Sequence, residues 1–203
     1  MQVIDQIDEW IVKKNIQLLV FDCDGTFMDT LRLHYQAWNE SFTELGYGFI
    51  SEDEFISHYA GVSGGEMVAA VIKKLNYGIK PSDILAKKKS LFMDKYIKQV
   101  KPMVNTLKIV EKYCGRLKMV VASGGAKQAV IEMLKLNNLL TYFEQVIAIE
   151  DVKLGKPSPE IFLMAAASQQ VSPEKCLVFE DHHAGFLAAQ KAGMDYVDVT
   201  RLK

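Results

Sequence analysis

Two carboxylates that sit together at the end of an apolar run are the first feature of this chain that could do chemistry. Asp22 and Asp24 follow the stretch 16–21 (IQLLVF) and are themselves followed at once by Gly25 and Thr26. Carboxylates placed in this way can attack an electrophile, exchange protons or hold a cation. Polar groups recur in the same position after later apolar runs: Ser123-Gly124-Gly125 after 117–122, Glu150-Asp151 and then Lys156 after 145–149, and Glu180-Asp181 after 176–179. Singly, each has an ordinary reading as a turn, a helix cap or a surface charge. Jointly, they place acids, a hydroxyl beside glycines and a lysine on one edge of one sheet, where an open parallel sheet has its ligand crevice.

The elements that must position these residues are legible in the hydrophobic pattern. The apolar runs, with a fifth at 196–199, are nearly continuous, as strands covered on both faces require, and helical patterns follow the middle ones. Ser158-Pro159-Glu160 and Ser172-Pro173-Glu174 mark helix starts, and Gly193 marks a stop. Residues 1–14 carry Ile7, Trp10 and Ile11 at helical spacing and form a helix that docks on the core. Between 31 and 98 the strand signal gives way to helical segments at about 33–45, 51–60, 64–76 and 82–98, with Ser51 and Glu54 in capping-box spacing. The fold class is therefore α/β: a Rossmann-like parallel sheet core from 1–31 and 99–203, with an all-helical cap inserted at 32–98. The ends of that insertion must lie together, which makes them a hinge. The Lys87–Lys89 run reads as a solvated helix face.

With 203 residues, 49% of them hydrophobic, the chain suits one full domain with a modest insertion. Lys and Arg number 24 against 25 Asp and Glu, so no global field draws it to nucleic acid or an anionic membrane, and the expected partner is small. Cys23, Cys114 and Cys176 stand in no metal-ligand spacing, which points to reduced thiols and a cytoplasmic protein. Cys23, between the two aspartates, should point into the core. There is no apolar stretch of membrane-spanning length, and a monomer is the default.

The pieces FDCDGTFMDT, VVASGG, GKPSPEIF and FEDHHAGFLAAQKAGM, in that order, resemble the haloacid dehalogenase superfamily of aspartate-nucleophile phosphotransferases, in its branch with a small helical cap. The resemblance covers nearly the whole chain. GKPSPEIF and AAQKAGM are similar to the branch of β-phosphoglucomutases and sugar-phosphate phosphatases, and the closing DYVDVT is similar to the end of bacterial fructose-1-phosphate phosphatases. It implies a Mg²⁺-dependent phosphatase acting on a small phosphorylated metabolite. A phosphate monoester dianion repels an anionic nucleophile, so its charge must be neutralised before a carboxylate can attack. By the resemblance, Asp22 is the nucleophile that takes up the phosphoryl group, and Asp24 is the acid and then the base. Mg²⁺ is held by Asp22, the backbone carbonyl of Asp24, Glu180 and Asp181. Ser123 and the amides of Gly124 and Gly125 hold phosphate oxygens, and Lys156 balances the charge. Gly25 and Thr26 lie on the phosphate side, with Thr26 and Thr30 also able to brace the loop. Where the family has a small residue after the Glu-Asp pair, His182 and His183 stand here, and a helix cap is their ordinary role.

The loop Gly61-Val62-Ser63-Gly64-Gly65-Glu66 is similar to the branch's specificity loop, which assigns Ser63 and Glu66 to the substrate. The mutases carry an arginine there, whereas this loop is rich in glycine. His34 falls where the mutases have a hinge histidine, so a phosphosugar mutase remains the alternative. A phosphorylatable signalling module also joins acids, a hydroxyl and a lysine on a parallel sheet, but it has no use for a helical lid or a second aspartate.

Overall fold

The computed structural model describes residues 3–59 and 62–202 and divides into two compact units, 1–29 with 101–203 and 30–100. The larger unit opens with helix α1 (Val3–Lys14), strand β1 (Leu18–Phe21) and the short strand β2 (Met28–Asp29). The smaller unit holds α2 (Leu31–Glu44), α3 (Glu52–Tyr59), α4 (Gly64–Leu75) and α5 (Pro81–Leu91). The chain then returns through β3 (Lys101–Pro102), α6 (Val104–Tyr113), β4 (Lys118–Ala122), α7 (Lys127–Leu136), β5 (Gln145–Ile147), α8 (Glu160–Ser168), β6 (Cys176–Glu180), α9 (His183–Lys191) and β7 (Asp195–Asp198). No helix among the described residues is long and apolar enough to cross a membrane.

The main sheet is parallel throughout, with the order β5-β4-β1-β6-β7. The chain builds outward from β1 through β4 to β5 and then returns to β1's other side for β6. That reversal puts the topological switch between β1 and β6, where such sheets open a crevice at their carboxyl ends. Burial explains the sequence pattern, since every residue of β1 and β6 is buried. Leu18 and Val20 pack with Cys176 and Val178 against Phe162, Ala165, Ala188 and Ala189 of α8 and α9. On the alternate phase, the Phe21 and Phe179 rings stack at 4.5 Å, and Phe27 and Phe143 pack against Phe21. The segments that leave and re-enter this unit run antiparallel, Met28 opposite Pro102 and Asp29 opposite Lys101.

In the helical unit, Trp38, Phe42, Ile50, Phe55, Met67, Val68, Val71 and Ile84 form one apolar cluster. Ser63 caps α4 by accepting from the Glu66 N–H at 3.3 Å, and Asn76 ends that helix in the left-handed conformation.

Several local expectations are corrected. The single helix expected over 82–98 is α-helical only to Leu91, after which Phe92–Tyr96 make a turn of π-helix and Ile97–Gln99 a 3₁₀ turn. Ser172-Pro173-Glu174 opens only a 3₁₀ turn, Pro173–Lys175, because β6 begins at the next residue. Ser51 and Glu54 form half a capping box: Ser51 accepts the Glu54 N–H, while the Glu54 carboxylate goes to Lys74. Lys88 is not a solvated member of a lysine face. It is half-buried, its Nζ 3.0 Å from His34 Nδ1 and over the rings of Trp38 and Phe92.

Candidate active site

The residues after β1 and β6 meet at the switch point. The Asp22 N–H donates to the carbonyl of Phe179 at 3.0 Å, which ties the loop after β1 to β6. Asp22, Glu180 and Asp181 each offer a carboxylate oxygen, all within 4.8 Å of one another. Lys156, delivered by the loop after β5, donates to Asp22 Oδ1 at 2.5 Å and to Glu180 Oε2 at 2.7 Å. That loop is stiffened by Glu160, whose carboxylate accepts the N–H groups of Lys153 and Leu154 at 3.0 Å.

Burial shapes the electrostatics here. Desolvation raises the Asp22 carboxyl to about 7, the negative charge of Glu180 adding to it and Lys156 opposing it. Glu180 is raised for the same first cause, and Asp181 is pushed up to about 6 by burial and by the charge of Asp22. Burial pulls Lys156 down, but the facing carboxylates of Asp22 and Glu180 outweigh it and hold the ammonium above its ordinary value. Three carboxylates with one lysine leave surplus negative charge in a buried place. A hard divalent cation with oxygen ligands fits that donor set.

Two glycines leave room for two of these acids. Gly25 has φ +78°, and a Cβ there would lie 2.4 Å from Asp181 Oδ2. Gly185, in the first turn of α9, would place a Cβ 2.0 Å from the Glu180 carboxyl carbon. The sequence reading missed Gly185. Its signal was a glycine inside a helical pattern, which usually marks close packing. Glu180 is further fixed by the N–H groups of Asp181 and His182, at 3.2 and 3.1 Å from its Oε1.

Other expected site residues fall into place differently. Ser123 is fully buried, and its Oγ accepts the Gly125 N–H at 2.9 Å, so that amide is already engaged by the serine beside it; Gly124 precedes it in the same loop. Thr26, expected on the phosphate side, has no exposed surface and turns its hydroxyl to Asp181. Thr30 makes no side-chain cap to α2. Asp24 sits in the loop after β1, bridged to Met28. Glu150 and Asp151 stand apart from the carboxylate cluster: Glu150 accepts the Lys127 N–H at the start of α7, and Asp151 pairs with the Lys127 ammonium at 2.8 Å. His182 caps α9, its Nδ1 accepting the Ala184 N–H at 3.3 Å, and burial lowers its pKa. Cys23 is buried, as its alternation required, and burial raises its thiol far above the ordinary value.

In the helical unit, His34 lies on α2 with its ring stacked on Phe92 at 4.4 Å, and Lys88 against its Nδ1 is a neighbour the sequence gave no reason to choose. Ser63 and Glu66 mark the exposed start of α4, while Gly61 lies outside the described residues.

A family model described as haloacid dehalogenase-like hydrolase matches residues 19–199. Fructose-1-phosphate phosphatase YqaB of Escherichia coli is 32% identical over 184 residues, covering 91% of this chain and 96% of its own. The phosphorylated carbohydrates phosphatase of Thermotoga maritima is 29% identical over 188 residues, covering 90% of this chain and 84% of its own. Among solved structures, a conserved haloacid dehalogenase-like protein of unknown function from Agrobacterium tumefaciens aligns with a TM-score of 0.74 at 28% identity, over 89% of this chain and 81% of its own. The family match runs through every strand of the sheet, and the chain belongs to the haloacid dehalogenase-like hydrolases.

Proposed function

We propose that this protein is a magnesium-dependent phosphatase of a small sugar or polyol phosphate, of the fructose 1-phosphate kind, acting through an aspartyl-phosphate on Asp22. The observation that carries the reading is the buried meeting of Asp22, Glu180 and Asp181 with Lys156 at the carboxyl ends of β1 and β6. The names of the two phosphatase relatives support the substrate class.

Asp22, Glu180, Asp181 and the backbone carbonyl of Asp24 would hold Mg²⁺, which when bound neutralises phosphate charge. One oxygen of Asp22 is engaged by Lys156, and the other is the nucleophile. It forms a bond to phosphorus while the bond from phosphorus to the sugar oxygen breaks, and Asp24 gives that oxygen its proton. Asp24, now a carboxylate, takes a proton from water as the water oxygen attacks phosphorus and Asp22 departs. Phosphate is released and both aspartates return to their starting states. Lys156, kept cationic by two carboxylates, balances the negative charge of Asp22 and the phosphoryl oxygens throughout. Ser123 and the Gly124 amide would orient the oxygens that do not react.

A mutase is the competing reading, on the strength of His34 in α2. The test is product analysis with Mg²⁺ and with chelator on fructose 1-phosphate, glucose 6-phosphate, β-glucose 1-phosphate and phosphoglycolate. Metal-dependent release of inorganic phosphate is expected. An isomeric sugar phosphate as the main product would establish the mutase instead, and a long-lived phosphorylated protein without turnover would establish a signalling module.

A further inference from the structure

Thr26 directly follows the Asp-x-Asp-Gly run, and its side chain is fully buried. A hydroxyl in such a place needs a partner. Thr26 Oγ1 donates to Asp181 Oδ1 at 2.7 Å, joining residues 155 apart in the chain. Its backbone is pinned separately, since the Thr26 carbonyl accepts the hydroxyl of Thr106 on α6 at 2.9 Å. Thr106 is itself buried, and its single hydroxyl proton is shared between that carbonyl and the Met103 carbonyl at 3.1 Å. Gly25 addresses the second oxygen of the same carboxylate, the missing Cβ leaving room beside Oδ2. Consecutive residues thus treat the two oxygens of Asp181 oppositely. One oxygen is bound by a donor, and space is kept beside the other.

We propose that Thr26 is a positioning residue that holds Asp181 by Oδ1 and so presents its carboxylate to the divalent cation in a fixed orientation. The inference rests on the magnesium reading above and assigns to Thr26 a task distinct from substrate contact. A carboxylate without this donor can rotate about its terminal torsion, which is broad, and loses pre-set geometry toward the ion. Donors that orient a metal ligand contribute about tenfold to a hundredfold to metal affinity.

The experiment is direct titration of the substrate-free protein with Mg²⁺ by calorimetry, and with Mn²⁺ by electron paramagnetic resonance. Thr26→Val keeps the shape and removes the donor, and Thr26→Ser keeps the donor. The valine variant is expected to bind both ions about tenfold or more weakly. The serine variant should stay within a few-fold of wild type. Should valine prevent folding, Thr26→Ala, which leaves only a small void, takes its place in the same titration. Valine or alanine binding as tightly as wild type would overturn the assignment, as would serine binding as weakly as valine. Wild-type protein that binds neither ion would overturn the magnesium reading itself, and the Thr26 assignment with it.

Discussion

The two units handle charge in opposite ways. At the sheet edge, the side chains of Lys156, Asp22 and Glu180 keep only 11%, 10% and 3% of their surface exposed, and they touch one another. In the helical unit, Lys74–Glu54, Arg32–Glu52, Lys87–Glu44 and Lys95–Glu40 all lie toward solvent, over an aromatic and aliphatic centre. An exposed pair contributes little to stability, while buried charges cost several kcal/mol each before their mutual attraction offsets it. A fold that retains such a cluster gives up stability for something other than folding. That contrast supports the sheet edge as the proposed site of chemistry, and the exposed pairs of the helical unit are solvated faces. Lys88 against His34 is the exception in the helical unit: a half-buried ammonium on an imidazole and two aromatic faces.

The largest effect should come from breaking the sheet edge at Asp22. Asp22→Asn removes the proposed nucleophile and is expected to lower turnover by about four orders of magnitude or more. Its thermal midpoint should hold or rise, because a desolvated charge facing Glu180 is gone. Retained turnover would mean that the nucleophile lies elsewhere. Lys156→Met removes the cation from between two buried carboxylates and should cost about 3–5 kcal/mol in urea unfolding with chelator. Part of that loss should return with Mg²⁺, and an equal loss with and without the ion would argue against a cation site beside Lys156. Phe42→Ala, at the centre of the helical unit, should cost a similar 3–5 kcal/mol or somewhat less, but with no dependence on Mg²⁺. The contrast in metal dependence is what sharpens the comparison.

What the sequence made legible follows the same division. Strand ends could be read because an apolar run followed by a charge is a local pattern, and the acids and lysine of the carboxylate cluster, Asp22, Lys156, Glu180 and Asp181, lie one to seven residues past such runs. The α/β architecture followed from the same runs. The bracing role open to Thr26 could not be given a partner, and Gly185 was missed, because both depend on side chains packed across the fold: a hydroxyl reaching Asp181 and an absent Cβ beneath Glu180. Periodicity says which face a residue takes, not which carboxylate it meets. Lys88 looked like one of three solvated lysines, and only the rings of Trp38 and Phe92 single it out. The π turn at Phe92–Tyr96 leaves no mark in an apolar repeat that is helical on both sides.

Gly185→Ala tests whether the clearance under Glu180 matters. The new Cβ would meet the carboxyl group at about 2 Å, so Glu180 must move away from Lys156 and from the two backbone N–H groups that hold it. A cost of about 1–3 kcal/mol is expected from overpacking, with a fall in turnover because Lys156 loses one partner. An alanine variant with wild-type turnover and stability would show that the helix start yields easily and that the carboxylate is not fixed by it.

The smallest effect lies in the sheet unit itself, away from the carboxylate cluster, at a charge pair that is solvated. Asp8 on α1 accepts from Lys112 and Tyr113 on α6, and although burial pushes its carboxyl up, these donors win and hold it below the ordinary carboxylate range. A depressed folded pKa adds stability above the unfolded value near 3.8, and that stability is lost as pH falls through the folded pKa. Partial exposure screens the pair, so Asp8→Asn should cost only about 0.5 kcal/mol at pH 7 and less once acid has protonated the folded carboxyl. Urea unfolding at pH 7 and in acid measures the difference. A cost as large as that of Lys156→Met would remove the distinction between solvated and buried charge that supports the proposed location of the active site.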